Sequence, residues 1–140
     1  MKNRLPRGFT LIELIVTMII VGILAVTILP KFADRSIFQD RGFQDETRSL
    51  LRYAQKSAVA QRHNVCVTLA AGGVTLKIDS AGSCDGTLDL PANPNGGSGL
   101  TASVGSFKFQ PLGDTDQSAD ITVTIAGTAI AVDHKTGYVY

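Results

Sequence analysis

The chain has no tryptophan, only two histidines and two cysteines, and charged residues fill just 18% of its 140 positions. Each scarcity removes a class of function. His63 and His134 lie far apart, and there is no G-x-S-x-G or H-E-x-x-H segment. No nucleophile therefore has a base partner, which argues against an enzyme, a catalytic residue or a cofactor. Cys66 and Cys84 form no C-x-x-C and have no histidine cluster beside them, so no metal site is expected. The acidic string from Asp114 to Asp120 brings oxygen ligands together. It lacks the glycine and closing glutamate of an EF-hand loop, and a solvated turn is expected there in preference to a calcium site.

What is present is unevenly distributed. The formal net charge of +1 hides a gradient along the chain. Residues 1–30 carry three basic residues against Glu13, and residues 31–64 carry seven basic against four acidic, net +3. Residues 65–140 reverse the sign, with three lysines against seven aspartates, net −4. Phosphate binding needs clustered positive charge, so nucleic acid is not an expected partner of that part.

The longest apolar run, Phe9 to Leu29, covers about 21 residues. At 1.5 Å rise per residue it matches a hydrocarbon core of about 30 Å. A secretory signal would have a shorter apolar core and an A-x-A-like cleavage site; neither is present, and the segment is expected to be retained. Lys2, Arg4 and Arg7 precede it and point to a cytoplasmic N-terminus. Glu13 is the single charge within the run. A carboxylate in hydrocarbon is costly, so Glu13 either has a partner, reaches the headgroups or is protonated. If the remainder of the chain is exported, Cys66 and Cys84 allow one intrachain disulfide. Its loop of about 17 residues would contribute roughly 3 kcal/mol by loop entropy, the alternative being two buried free thiols.

The stretch Arg7-Gly8-Phe9-Thr10-Leu11-Ile12-Glu13-Leu14 resembles the class III signal of type IV prepilins and type II secretion pseudopilins. It joins a short basic leader, a glycine before phenylalanine, a glutamate four residues later and a long apolar run. The resemblance implies cleavage between Gly8 and Phe9 by a prepilin peptidase and N-methylation of Phe9. It implies an assembly role for Glu13, which would pair with the cationic amine of a neighbouring subunit. Such a pair is better regarded as a register device than as a large source of stability. Gly22 and Pro30 fall where the family places helix-weakening residues, so 22–30 is a candidate compliant segment, with a kink or local melting expected at Pro30.

Beyond the run, Phe43, Thr47, Leu50, Leu51, Ala54, Ala58 and Gln61 recur at helical spacing. Arg48, Arg52, Lys56 and Arg62 fall on the other faces, as a solvated surface or as a contact for acidic faces of neighbours. Gly42 is a possible break in this helix. After Asn64 the period changes to two. Val65, Val67 and Leu69 followed by Val74, Leu76 and Ile78 predict a hairpin about Ala71-Gly72-Gly73. Residues 80–100 read as a long surface loop, and strands are expected at 104–109, at 121–125 and 130–132 about Ala126-Gly127, and at the C-terminus. His134 and Lys135 are expected in a hairpin turn.

The fold class expected is α+β, a long N-terminal helix packed on a small antiparallel sheet. Its parts are a cleaved leader (1–8), a membrane and filament-core helix (9–30), an amphipathic helical part (31–64) and a β head (65–140). The patches Leu51-Arg52-Tyr53-Ala54-Gln55, Ala58-Val59-Ala60-Gln61-Arg62, Ile130-Ala131-Val132-Asp133 and Thr136-Gly137-Tyr138 resemble minor pilins and pseudopilins of the type II secretion H-subunit and mannose-sensitive haemagglutinin groups. That resemblance implies a minor pilus subunit, with a secretion pseudopilin as the alternative. The implied partners are other pilin or pseudopilin subunits, the prepilin peptidase, the inner membrane and the filament assembly machinery. The implied location is the inner membrane, single-pass with a periplasmic head, and then the filament. A different class remains open: a monomeric membrane-anchored periplasmic binding module whose 80–100 loop contacts a ligand.

Overall fold

The computed structural model describes residues 8–33, 36–90 and 94–140, with side chains described for 8–25, 38–90 and 94–140. Leader residues 1–7 and loop residues 91–93 lie outside the described residues. The chain divides into two compact units, residues 1–36 and 37–140. The first holds helix α1, Leu11–Ala33. Its sequence has no polar face, and every side chain described from Leu11 to Ala25 is exposed.

Helix α2, Ser36–Gln61, supplies the amphipathic element of the second unit. Phe43, Thr47, Leu50, Leu51, Ala54 and Ala58 are buried as their spacing predicts, whereas Gln61 is exposed at the last helical position. The possible break at Gly42 does not occur, and α2 runs through it. The packing of Phe43 and Thr47 immediately beyond holds the turn that glycine alone would weaken. Arg62, at φ 55°, takes the left-handed conformation that ends the helix.

The first sheet has the order β3-β2-β1-β5 and is antiparallel throughout. Strands β1 (Val65–Ala70) and β2 (Gly73–Ser80) form the expected hairpin, with Val67 opposite Leu76 and Leu69 opposite Val74. β5, Ser106–Phe109, pairs with the other edge of β1 and places Phe107 opposite Val67. The expected 80–100 loop is corrected at its start, because β3 (Ser83–Thr87) pairs with β2 there. Ala81 and Gly82, both at positive φ, make the tight turn between them. β3 is an almost wholly exposed edge strand, so it carries no apolar alternation for a sequence reading to find.

A second sheet, order β4-β6-β7, departs from the single sheet expected. β6 (Ile121–Ile125) and β7 (Thr128–Val132) turn at Ala126-Gly127, while β4 is only Thr101–Ala102. The two sheets stay separate because the outer edge of β5 is already occupied. Lys108 N donates to Asp116 Oδ1 at 2.9 Å, Asp116 N donates to Lys108 O at 3.0 Å, and Phe109 bridges to Thr115. The last expected strand reduces to a bridge between Val132 and Val139, flanked by reciprocal Ala131 and Tyr140 bonds of 3.0 Å. The inner faces of both sheets and the apolar side of α2 share one core that includes Leu51, Val67, Phe109, Val123 and Ile130.

Candidate functional site

At the N-terminal site, Gly8, Phe9 and Thr10 precede α1 without helical structure. Thr10 is the N-cap: its Oγ1 accepts the Glu13 N–H at 3.3 Å, and its carbonyl accepts the Leu14 N–H at 3.2 Å. Thr10-Leu11-Ile12-Glu13 has the spacing of a capping box, a signal legible in the sequence but missed there. The consequence is that the glutamate sits in the first turn, where the helix dipole favours a carboxylate.

From Phe9 to Leu24 the exposed surface is apolar apart from Thr10, Glu13 and Thr17. Phe9 is 79%, Ile12 65% and Ile23 63% exposed. Thr17, the only hydroxyl within the run Leu11–Ala25, donates to the Leu14 carbonyl at 2.9 Å, so its polarity is satisfied inside the helix. Gly22 and Pro30 both lie within α1, which continues to Ala33. A Cβ on Gly22 would meet nothing within 4 Å, so its lack of a side chain is not required by packing in this unit. Among the described residues no helix is long and apolar enough to cross a membrane, and in α1 the side chains are described only as far as Ala25.

In the head, polar side chains of α2 reach the loops. Gln44 Nε2 donates to Ile125 O at 3.1 Å, Glu46 accepts the Gly96 N–H at 3.1 Å, and the Tyr53 hydroxyl donates to the Asp89 carbonyl. Gln55 Nε2 donates to two carbonyls, Thr136 O at 2.8 Å and Gly113 O at 3.2 Å. Arg52, expected on a solvated face or against neighbours, binds the carbonyl of Val139 within its own chain. Periodicity finds apolar stripes but cannot say which surface polar groups meet a loop.

Cys66 on β1 and Cys84 on β3 form a disulfide with Cα atoms 5.9 Å apart, which decides between the pairing and the free thiols. Beside it, Lys108 Nζ contacts Asp79 Oδ2 at 2.8 Å, and that ammonium holds the Asp79 carboxyl below the usual carboxylate range against the opposing effect of burial. The acidic string does not converge on a point. Asp116 binds the Lys108 amide, while Asp120 accepts from His134 N at 3.0 Å and lies 2.7 Å from its Nδ1. His134 thereby lowers the Asp120 carboxyl. Among the described residues no group of three or more potential ligands could hold a metal ion. His134 and Lys135 occupy the expected turn, organised by Asp133 Oδ1, which accepts the Thr136 N–H at 2.7 Å.

The prokaryotic N-terminal methylation motif matches residues 3–29, and the family of the type II transport protein GspH matches residues 44–136. The chain belongs to the GspH family. It is thus a pilin-like subunit, in which the methylation motif covers the apolar helix and the GspH region covers the head from the middle of α2 to the last turn. The GspH-type head is similar to that of the type IV minor pilin FimU of Pseudomonas aeruginosa strain PAO1. One crystal structure is 18% identical over 78% of this chain and 90% of that one, with a TM-score of 0.53. A second is 19% identical over 69% and 86%, with a TM-score of 0.49. The former likeness is one of fold. No curated protein matches the chain.

Proposed function

We propose that the chain is a minor pilin-like subunit made as a precursor. Residues 1–8 are removed by a prepilin peptidase between Gly8 and Phe9, and the new amine of Phe9 is methylated. Residues 9–30 hold the subunit in the inner membrane as a single pass and then enter the core of a type IV pilus. Residues 31–64 continue as the amphipathic part, and residues 65–140 form the periplasmic head. The observation that carries this reading is a helix exposing apolar side chains all round, with one carboxylate, Glu13, in its first turn. Such a surface needs lipid or other apolar helices to cover it. Packed among sister helices, Glu13 pairs with the methylated amine of an incoming subunit, and the stretch from Gly22 to Pro30 is the part able to extend. The Cys66–Cys84 disulfide supports a head on the oxidising side of the membrane.

A second reading is a type II secretion pseudopilin, favoured by the GspH match to residues 44–136. The fold shared with a type IV minor pilin favours the first. Both use the same processing and the same helix contacts. Intact-mass measurement of the mature chain should show a start at N-methylated Phe9, and Glu13→Ala should be processed yet fail to enter filaments. A chain that retains Met1 in cells with active prepilin peptidase overturns both readings in favour of a tethered binding module. Deletion then separates them: loss of piliation marks the pilus, and loss of protein secretion marks the pseudopilus.

A further inference from the structure

We infer that the Cys66–Cys84 bond is a directed site of thiol–disulfide exchange: an incoming thiol joins Cys84, Cys66 departs as the thiolate, and Lys77 with Lys108 stabilises the departing charge. The two sulfurs occupy unequal places. Cys66 lies on β1, an interior strand flanked by β2 and β5, and is 6% exposed. Cys84 lies on β3, the outermost strand of the same sheet, and is exposed. A thiolate attacks a disulfide in line, from the side opposite the sulfur that leaves, so access favours the sulfur on the edge strand. A cleft of about 310 Å³ lies beside the bond, lined by both cysteines, Thr68, Ser106, Lys108 and Asp116, and gives a small thiol room.

The strand register supplies the charge. Cys66 is paired directly with Lys77 on β2 and with Lys108 on β5. Directly paired residues share a face, with Cβ atoms about 5 Å apart, so two cations bracket Cys66. Lys108 already shares its charge with Asp79, whose Oδ2 lies 2.8 Å from Nζ. Lys77 is exposed and has no ion-pair partner among the described residues, which leaves its charge free to act on Cys66. The carboxylates nearby are engaged elsewhere: Asp116 accepts the Lys108 and Gln117 donors, and Asp85 accepts the Ser80 hydroxyl. Cys84 has no cation opposite it in the register with β2, and Asp85 adjoins it. Neighbouring cations lower the pKa of a thiol, and the sulfur of lower pKa leaves faster. Access and charge therefore select the same direction. In the first step the thiolate's electron pair forms the bond to Cys84, and the old sulfur–sulfur pair leaves on Cys66, which takes a proton from water. A second thiol attacks the adduct and frees Cys84, so two thiols are oxidised to one disulfide as this bond is reduced. Closure of the bond runs through the same adduct on Cys84, with Cys66 as the attacking thiolate. β3 can carry the adduct because it buries almost nothing.

The test uses the purified full-length chain in detergent and needs no filament, so its failure and that of the subunit reading are separate. Brief treatment with mercaptoethanol followed by iodoacetamide should place the adduct on Cys84 and the alkyl group on Cys66, as read by peptide mass spectrometry. In urea the two sulfurs should take the adduct alike. An adduct on Cys66 in the folded chain, or an equal split there, would overturn the direction. Lys77→Met should slow the reduction about fivefold, and Lys77→Arg should keep the wild-type rate. That difference should shrink in high salt, because Lys77 is exposed. In Cys84→Ser, iodoacetamide should alkylate Cys66 at lower pH than it does in the same chain in urea, and adding Lys77→Met should move the profile upward. Equal rates for Lys77→Met and wild type, or a profile that Lys77→Met leaves in place, would overturn the role of the lysine. The wild-type and Lys77 arms keep the disulfide, so they decide the matter even where Cys84→Ser fails to fold.

Discussion

Arg52 of α2 donates to the carbonyl of Val139 twice, from Nη2 at 3.0 Å and from Nε at 3.3 Å, and so fastens the C-terminal segment to the helix. Val139 itself is 1% exposed and bridges to Val132, so the bond sits where a short segment would otherwise fray from the sheet edge. Hydrogen bonds from a charged donor contribute about 1.5–3 kcal/mol when well shielded. Arg52→Met should therefore cost about 1–2 kcal/mol, since the guanidinium is partly solvated. Amide exchange should quicken at residues 138–140 before it quickens in β6.

The turn below that segment depends on two glycines. A Cβ on Gly137, at φ 64°, would lie 1.9 Å from the Gly113 carbonyl oxygen. Gly137→Ala should destabilise the head by more than the about 1 kcal/mol that a compatible glycine change moves it. Gly127→Ala meets nothing within 4 Å and isolates the cost of positive φ alone. Equal melting temperatures for the two variants would rule out the close approach as the cause.

Reducing the disulfide removes a constraint on the unfolded chain more than a contact in the folded one. Cys66 and Cys84 are 18 residues apart, and breaking their bond should cost about 3 kcal/mol. Urea midpoints of Cys66→Ala and of the reduced wild type should agree, with α2 and β6 still folded at low denaturant.

Acid should weaken the head in a defined window. Asp79, Asp120 and Asp133 are all lowered from 3.8, by Lys108, by His134 and by Thr136 respectively. A lowered carboxyl stabilises the fold above its unfolded value, and that contribution is lost as pH falls through the folded value. Stability should hold down to about pH 4 and decline below it. In Lys108→Met, part of that decline should disappear, because Asp79 no longer gains a cation on folding. An unchanged slope between pH 4 and pH 2 would show that the pair is not a source of acid sensitivity.

The features legible in the sequence were those that repeat or stand alone. An unbroken apolar run with one carboxylate can be read residue by residue, because the environment it needs is uniform along its length. The stripe from Phe43 to Ala58 and the alternation of β1 and β2 are equally local, since burial on one face imposes period 3.6 on a helix and period two on a strand. Tertiary structure decided the rest. β3 has no buried face to mark it, and the second sheet is separate from the first at β5, whose edge Asp116 and Thr115 occupy. The polar side of α2 became a set of clamps on Ile125, Gly113, Thr136 and Val139. Such bonds join residues up to 87 positions apart, and neither partner carries a pattern that names the other. Burial leaves a period in the chain, whereas a single long-range hydrogen bond or disulfide leaves only two residues whose meeting depends on the completed fold.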